Sequence, residues 1–148
     1  MITKKAKYAL KALLELTETY AVKKPVLIAE LARRGKIPKK FLELILLELK
    51  NNGLLESRMG KGGGYLLSVS PAKIMVGDIL RIIEGPLAPL PCLSQTAYRR
   101  CDECGDEAAC SIRMVLKEVH DHQLRVLDHT SLENMYERGF PEQSTYAI

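Results

Sequence analysis

Residues 37–67 read IPKKFLELILLELKNNGLLESRMGKGGGYLL, and this stretch contains the strongest structural pattern of the chain. From residue 38 to about residue 52, apolar side chains recur every three or four positions, which predicts an amphipathic helix that ends at Gly53. The predicted buried stripe consists of Leu42, Ile45, Leu46 and Leu49. Two short strand-like runs follow at 54–57 and 65–67, so the stretch predicts a helix that leads into a β-hairpin.

The tip of the predicted hairpin is rich in glycine and has the sequence GKGGG at 60–64. Glycine adopts positive φ angles and lets another molecule approach the backbone, which is typical of a wing. A nucleotide-binding glycine loop is the competing interpretation, but such a loop leads from a strand into a helix and carries Ser or Thr after its lysine. Because neither holds here, we predict that the wing contacts DNA phosphates or the minor groove. The candidate residues are Arg58, Lys61, Gly62 and Gly63.

Two further helices are predicted before this stretch. Residues 4–20 have an amphipathic pattern, and residues 26–34 form a short second helix that Gly35 closes in the left-handed conformation. A tight turn then joins the second helix to the third, which opens with Lys39 and Lys40. This arrangement predicts a helix-turn-helix.

The third helix offers candidate DNA-reading residues near its N-terminus, where recognition helices reach base edges. Lysine donates to guanine, glutamate accepts from cytosine N4, and an apolar side chain contacts the thymine methyl group. Non-specific phosphate contact remains an open role for the lysines, and Leu44 and Leu47 equally suit packing within the protein. The candidates are Lys39, Lys40, Phe41, Glu43 and Leu44.

Charge divides the chain into a basic and an acidic part. Residues 1–85 contain 16 Lys and Arg against 8 Asp and Glu, and residues 86–148 contain 6 against 10, so the net charges are +8 and −4 and sum to the +4 of the whole chain. The basic part is typical of a nucleic-acid-binding domain, although a solvated lysine-rich surface explains charge alone equally well.

Four cysteines follow the basic part in the pattern Cys92-x8-Cys101-x2-Cys104-x5-Cys110. No apolar run approaches the roughly 20 residues that cross a bilayer, so we predict a cytoplasmic protein without membrane contact, in a compartment where clustered thiols favour metal or redox chemistry. Four thiolates suit either a tetrahedral zinc ion or an iron-sulfur cluster. A zinc ribbon normally pairs two short cysteine gaps, and this loop has one.

From residue 111 the pattern becomes helical again. Its apolar stripe consists of Ile112, Val115, Leu116, Val119, Val126 and Leu127, and is too long to bury within a small domain, so it predicts a partner helix in a homodimer. The predicted organisation is a winged helix-turn-helix domain at 1–85, a Pro-rich and Cys-rich cofactor loop at 86–110, a dimerisation helix at 111–135 and a mobile tail at 136–148.

Together these features resemble the IscR/NsrR/CymR group of bacterial winged-helix transcriptional regulators, often called the Rrf-type family. The residues that carry the resemblance are the opening KAKYALKALLEL, the stretch 37–67 and the cysteine loop, within roughly residues 1–135. The resemblance implies a homodimer on a palindromic operator, a long C-terminal helix that crosses between subunits and, in many members, an iron-sulfur cluster as the sensor.

The cysteine spacing fits that resemblance in part. Cys104 and Cys110 keep the five-residue gap of cluster-binding members, which favours an iron-sulfur cluster, two-iron or four-iron, with zinc as the alternative. Members often carry Ser and Gln at the positions of Lys40 and Leu44, and the histidine ligand of one branch is replaced here by Arg113. Operator sequence and ligand set therefore do not carry over directly.

We therefore expect a mainly α-helical protein with a small β-hairpin, a winged helix-turn-helix domain and a long C-terminal dimerisation helix. Its expected function is that of a homodimeric regulator that binds double-stranded DNA at a palindromic operator under control of an iron-sulfur cluster held by the four cysteines. A zinc-bound or metal-free thiol-switch regulator is the alternative, and an iron-sulfur electron carrier or cluster-transfer protein is a remote one. No catalytic pattern appears, so neither enzymatic activity nor a small-molecule substrate is expected.

Overall fold

Helices and one antiparallel hairpin make up this computed structural model, which describes residues 2–139. The helices are α1 (Lys4–Glu18), α2 (Ile28–Gly35), α3 (Lys39–Asn51), α4 (Val76–Glu84), α5 (Ser111–Leu127) and α6 (Leu132–Gly139). The strands are β1 (Leu55–Arg58) and β2 (Gly64–Leu67), and single 3₁₀ turns occur at Pro71–Lys73, Pro91–Leu93 and Glu107–Ala109. This is the predicted fold class, a mainly helical winged helix-turn-helix protein.

The core lies between α1, α2, α3, α4 and the inner face of the hairpin. The predicted stripe of α3 is confirmed, because its four apolar residues are each 0% exposed. Burial of each such side chain contributes about 2 kcal/mol to folding. The largest fully buried side chains are Leu13, Leu16, Leu31, Leu42, Ile45, Leu46, Leu49, Ile79 and Leu132.

The turn between α2 and α3 differs from its prediction. Gly35 is the last residue of α2, and the left-handed conformation belongs to Lys36, with φ 53° and ψ 48°. A Cβ at Gly35 would lie 2.8 Å from the Cδ1 atom of the buried Ile37, so a larger residue there would require that side chain to shift. The prediction of Gly35 as the left-handed cap is therefore wrong.

The hairpin is fixed to the front of the domain by a third extended segment. Leu55 pairs with Leu67 and Arg58 with Gly64, and Val26 exchanges two 2.8 Å backbone hydrogen bonds with Tyr65. At Gly64 φ is +138°, and a Cβ there would clash with the Val26 carbonyl. Glycine therefore allows the segment before α2 to pair with the wing.

The segment 111–135, predicted as one helix, consists of α5 and the first half of α6. The chain turns after Leu127, and the Ser131 and Asn134 side chains accept hydrogen bonds from each other's backbone N–H groups, so they form a reciprocal cap that starts a new helix. Residues 136–139, predicted as part of a mobile tail, belong to α6, and the remainder of that tail lies outside the described residues.

Helix α6 returns to the winged domain. The Val76 N–H donates to the Thr130 carbonyl at 2.9 Å, and the Leu132 N–H donates to the Ile74 carbonyl at 2.8 Å. Leu132 is completely buried in the same core as α1 and α3. The start of α4 is therefore joined directly to the junction between α5 and α6.

Across residues 2–139 there is no helix that combines the length and the apolar character needed to cross a membrane.

Candidate DNA-binding surface and cysteine loop

The outward face of α3 is exposed along its whole length. Lys39, Lys40, Glu43 and Leu44 all reach solvent, as the sequence predicted for candidate DNA-reading residues. Phe41 differs from them because it is half-buried and its ring packs edge-on against Tyr8, with the centroids 5.6 Å apart. Phe41 thus positions α3 against α1.

Lysines at the start of α3 are unfavourable for the helix itself. The N-terminal end of a helix carries partial positive charge, so cations there cost about 0.3–1 kcal/mol. Lys39 and Lys40 occupy this end, the preceding residue is Pro38, and no side chain caps the helix. An anion placed at this end would satisfy both the lysines and the free backbone N–H groups.

The wing exposes three of its four candidate residues. Arg58, Lys61 and Gly62 are exposed, and the nearest carboxylate to Arg58 is that of Glu56, at 3.5 Å. Gly63 is buried, and a Cβ there would clash with the Arg58 carbonyl. Gly63 thus closes the turn, whereas Gly62, with φ +78°, lies at the surface.

Two polar contacts fix α3 relative to its neighbours. The Lys50 Nζ donates to the Ser57 hydroxyl at 2.7 Å and ties α3 to the wing. The Lys5 ammonium lies 2.7 Å from the Glu48 carboxylate and ties α3 to α1. These contacts join residues of separate elements, so spacing gave no signal for them.

The four cysteines line one open cavity of about 790 Å³ in the cysteine loop, residues 86–110, at the start of α5. All four are free thiols; Cys92 is buried, Cys101 is exposed, and Cys104 and Cys110 are half-buried. No three His, Cys, Asp or Glu side chains between residues 2 and 139 lie close enough together to hold a metal ion. The four predicted ligands thus line one cavity, but their sulfur atoms do not point at a common centre.

Arginine side chains border this cavity, and their positive charge is complementary to an anionic thiolate-bound group. Arg113 donates its backbone N–H to the Cys110 sulfur at 3.5 Å and its Nη2 to the Cys92 carbonyl at 3.5 Å. The Arg113 Nε atom is buried and has no hydrogen-bond partner in the described part of the chain. Arg100 donates to the carbonyls of Cys104 and Gly105. The residue types at this cavity, which are four thiols, two arginines and one unsatisfied buried donor, are those that a metal-thiolate group uses, although the thiols of the described chain do not converge on one point.

A hydrogen bond between two side chains shapes the same loop. The Tyr98 hydroxyl donates to the Glu107 carboxylate, and this hydrogen bond raises the pKa of Tyr98 above its usual value because it favours the phenol. The contact closes the loop between the segment before Cys101 and the 3₁₀ turn before Cys110.

An ion pair links the C-terminal end of α5 to the winged domain. Arg81 of α4 donates to both carboxylate oxygens of Asp128, at 2.7 Å and 2.9 Å. This bidentate contact holds the pKa of Asp128 below its usual value and raises the pKa of Arg81, because each charge stabilises the other. Gly77 permits it, since a Cβ at Gly77 would clash with the Asp128 carboxylate. No pattern in the sequence indicated this link.

Helices α2 and α3 form a helix-turn-helix, the hairpin that follows is its wing, and α3 carries cationic side chains on its exposed face. This arrangement defines the winged-helix class of DNA-binding proteins. The model of the Rrf2 family, described as iron-dependent transcriptional regulators, matches residues 2–138. The chain belongs to the Rrf2 family and is an HTH-type transcriptional regulator of that family. The resemblance inferred from the sequence is thereby confirmed.

Individual relatives agree with this assignment. An rrf2-like HTH-type transcriptional regulator of Rhodobacter capsulatus is 48% identical over 143 residues, which are 95% of this chain and 95% of that protein. The structure of CymR, the global cysteine regulator of B. subtilis, matches with a TM-score of 0.77 at 28% identity and covers 93% of this chain and 97% of CymR. The structure of T. potens IscR matches with a TM-score of 0.75 at 25% identity and covers 97% of this chain and 90% of IscR.

Proposed function

We propose that this chain is a cytoplasmic homodimer that binds a palindromic DNA operator. Its affinity for the operator changes with the state of an iron-sulfur cluster held by Cys92, Cys101, Cys104 and Cys110. The observation that carries the proposal is that all four thiols line one arginine-bordered cavity at the start of α5. The protein acts by binding and needs no catalytic group or small-molecule substrate.

The DNA-contacting part of the proposal rests on exposed cations at the front of the molecule. Lys39, Lys40, Arg58 and Lys61 lie on α3 and the wing, which are tied together by the Lys50–Ser57 hydrogen bond. We propose that α3 enters the major groove, with Glu43 and Leu44 facing base edges, while the wing follows the adjacent backbone at Gly62. Phe41 and Gly63 serve this surface as packing and turn residues.

The dimer in this proposal uses α5. Its exposed apolar residues include Ile112, Val115, Val119 and Val126, which are between 48% and 66% exposed and share one side of the helix. A second copy of α5 covers this stripe, and a two-fold dimer places two α3 helices about 34 Å apart, one turn of B-DNA.

A bound cluster would supply a centre whose presence depends on iron and on oxidants. The protein's own part is to fix the loop to α5. The Cys110 sulfur caps the first turn of α5, and Arg113 joins that turn to the Cys92 carbonyl. A change in the position of these thiols therefore shifts the start of α5, and the Arg81–Asp128 pair connects the end of α5 to α4 of the winged domain.

A zinc-bound or metal-free thiol switch is the second candidate. It is favoured by the likeness to CymR, which is described as a global cysteine regulator, and by the four free thiols of this loop. The same path through α5 would then respond to zinc occupancy or thiol oxidation.

Anaerobic purification separates these candidates. The proposal expects a visible absorption spectrum with iron and sulfide in the purified protein, and loss of both after Cys104→Ser. Stoichiometric zinc, or a colourless protein with no bound metal, would replace the iron-sulfur assignment with the thiol-switch candidate.

Binding to duplex DNA at several salt concentrations tests the proposed surface. If the four exposed cations of each subunit contact phosphates, the logarithm of the binding constant should fall linearly with the logarithm of the salt concentration. The expected slope is about −7. Lys40→Ala should make the slope shallower by about two, since it removes one contact per subunit, whereas Lys23→Ala, in the turn after α1, should leave it unchanged. A slope that no α3 or wing substitution alters would place the DNA elsewhere.

A further inference from the structure

Two leucines stand at the centre of the exposed face of α3. Leu44 is 64% exposed and Leu47 is 50% exposed, whereas the apolar residues on the opposite face are fully buried. At about 100° per residue the two lie about 60° apart, between Lys40 and Asn51 on the outward stripe. Neighbouring exposed leucines are unfavourable in water, so this pair indicates a surface that is covered when the protein binds its target.

The surroundings of the pair indicate what covers it. Lys39, Lys40 and Lys50 are exposed around it, and the wing adds Arg58 and Lys61. Glu43 is the one exposed carboxylate of α3 on this face, and Arg58 lies 3.5 Å from Glu56, so the exposed lysines exceed the carboxylates near them. An apolar protein surface would cover the leucines but leave this excess positive charge uncompensated. A DNA duplex supplies phosphates for the rim and, in its major groove, the C5-methyl groups of thymine for the centre.

We propose that Leu44 and Leu47 read thymine methyl groups, so that the preferred operator carries T·A pairs beneath the middle of α3. This inference rests on the proposed DNA-binding function and specifies which sequences that function prefers. The polar neighbours Lys40 and Glu43 read flanking G·C pairs, since lysine donates to guanine and glutamate accepts from cytosine. The Lys50 Nζ donates to the Ser57 hydroxyl, so α3 and the wing, the two elements proposed to contact DNA, also contact each other.

The experiment begins with selection of the operator from a library of random duplexes by the full-length protein. Each thymine of the selected site is then replaced by deoxyuridine, which removes the methyl group and keeps the base pairing. We expect affinity to fall about fourfold for each buried methyl group, and about fifteenfold when one such thymine is substituted at the same position in both halves of the palindrome.

Protein variants identify the residues that sense the methyl group. The Leu44→Ala/Leu47→Ala variant should bind the thymine operator more weakly and should not distinguish thymine from deoxyuridine. Val22→Ala is the matched control, because Val22 is an exposed apolar residue in the turn after α1, and it should behave like the unsubstituted protein. Equal thermal melting of all three proteins verifies that folding is retained.

The outcomes separate this inference from the function on which it rests. If no duplex is enriched, the DNA-binding function itself fails. If an operator is enriched but no deoxyuridine substitution weakens binding, or if the double variant keeps the same sensitivity, thymine reading by these leucines is overturned while the regulator function stands.

Discussion

Single residues in this protein have roles that their type alone does not reveal. Gly77 is the clearest case, since a glycine near the start of a helix would usually be replaceable by alanine at a gain of up to about 1 kcal/mol. Here the missing Cβ makes room for the Asp128 carboxylate, which pairs with Arg81 in the same space. Helix propensity and the ion pair therefore oppose each other at this position.

A double-mutant cycle measures that opposition. Gly77→Ala alone should leave the free energy of unfolding nearly unchanged, because the gain in propensity is offset by the loss of about 1 kcal/mol from the displaced ion pair. In an Asp128→Ala background the same substitution should stabilise the protein by about 0.5–1 kcal/mol. Chemical denaturation gives both values, and an equal effect of Gly77→Ala in the two backgrounds would show that the pair and the glycine are not coupled.

The same pair tests the route from the cysteine loop to the DNA-binding surface. If the proposed cluster is bound, Asp128→Asn should leave the metal and sulfide content unchanged, since Asp128 lies at the far end of α5 from Cys110. It should reduce the ratio of operator affinities measured with and without the bound centre. Metal analysis and duplex titration on one preparation check this, and an unchanged affinity ratio would exclude the ion pair from the route.

At the scale of elements, the wing depends on glycines that are not equivalent. Gly64 combines a φ of +138° with close contact to the Val26 carbonyl, whereas Gly60 has a φ of +84° and a Cβ there would meet no atom within 4 Å. Gly64 is therefore needed for the pairing of Val26 with Tyr65, whereas Gly60 is needed only for the turn.

The two glycines should respond differently to alanine. Gly64→Ala should destabilise the protein by about 2–3 kcal/mol, because the new Cβ requires the Val26 segment to move and because a φ of +138° is strained for alanine. Gly60→Ala should cost about 1 kcal/mol. Urea unfolding of both variants checks the difference, and equal losses would mean that the Val26–Tyr65 pairing adds little stability.

Local patterns predicted these elements well where a single periodicity dominates. The apolar stripe of α3 follows directly from the sequence, because this helix buries one regular face in one core. The sequence predicted one dimerisation helix over 111–135, and the break between α5 and α6 depends on the reciprocal cap between Ser131 and Asn134. The Arg81–Asp128 link and the Lys50–Ser57 tie depend on tertiary packing, which spacing does not encode.

For the whole molecule, the exposed apolar stripe of α5 contrasts with the buried apolar faces of the winged domain. Helix α6 packs on α1, and its Leu132 completes the core, so α6 does not cover the α5 stripe. The proposed second subunit removes this stripe from water.

Charge placed in the stripe should separate the subunits. Val119→Glu should convert a dimer into a monomer in sedimentation experiments and weaken operator binding at least tenfold, because each subunit would bury an unpaired carboxylate in the proposed interface. Met114→Glu is the matched control, since Met114 is 54% exposed and lies about 140° around α5 from Val119. A dimer that tolerates Val119→Glu, or that only Met114→Glu disrupts, would place the interface on another surface.

The most direct test is the operator affinity of anaerobically purified protein before and after removal of the bound centre by a chelator, with Cys104→Ser measured beside it. We expect the affinity to change at least fivefold on removal, and we expect the Cys104→Ser protein to match the stripped form whether or not chelator is added. Equal affinities for loaded and stripped protein, at the same salt concentration and with the dimer intact, would contradict control of DNA binding by the cysteine loop.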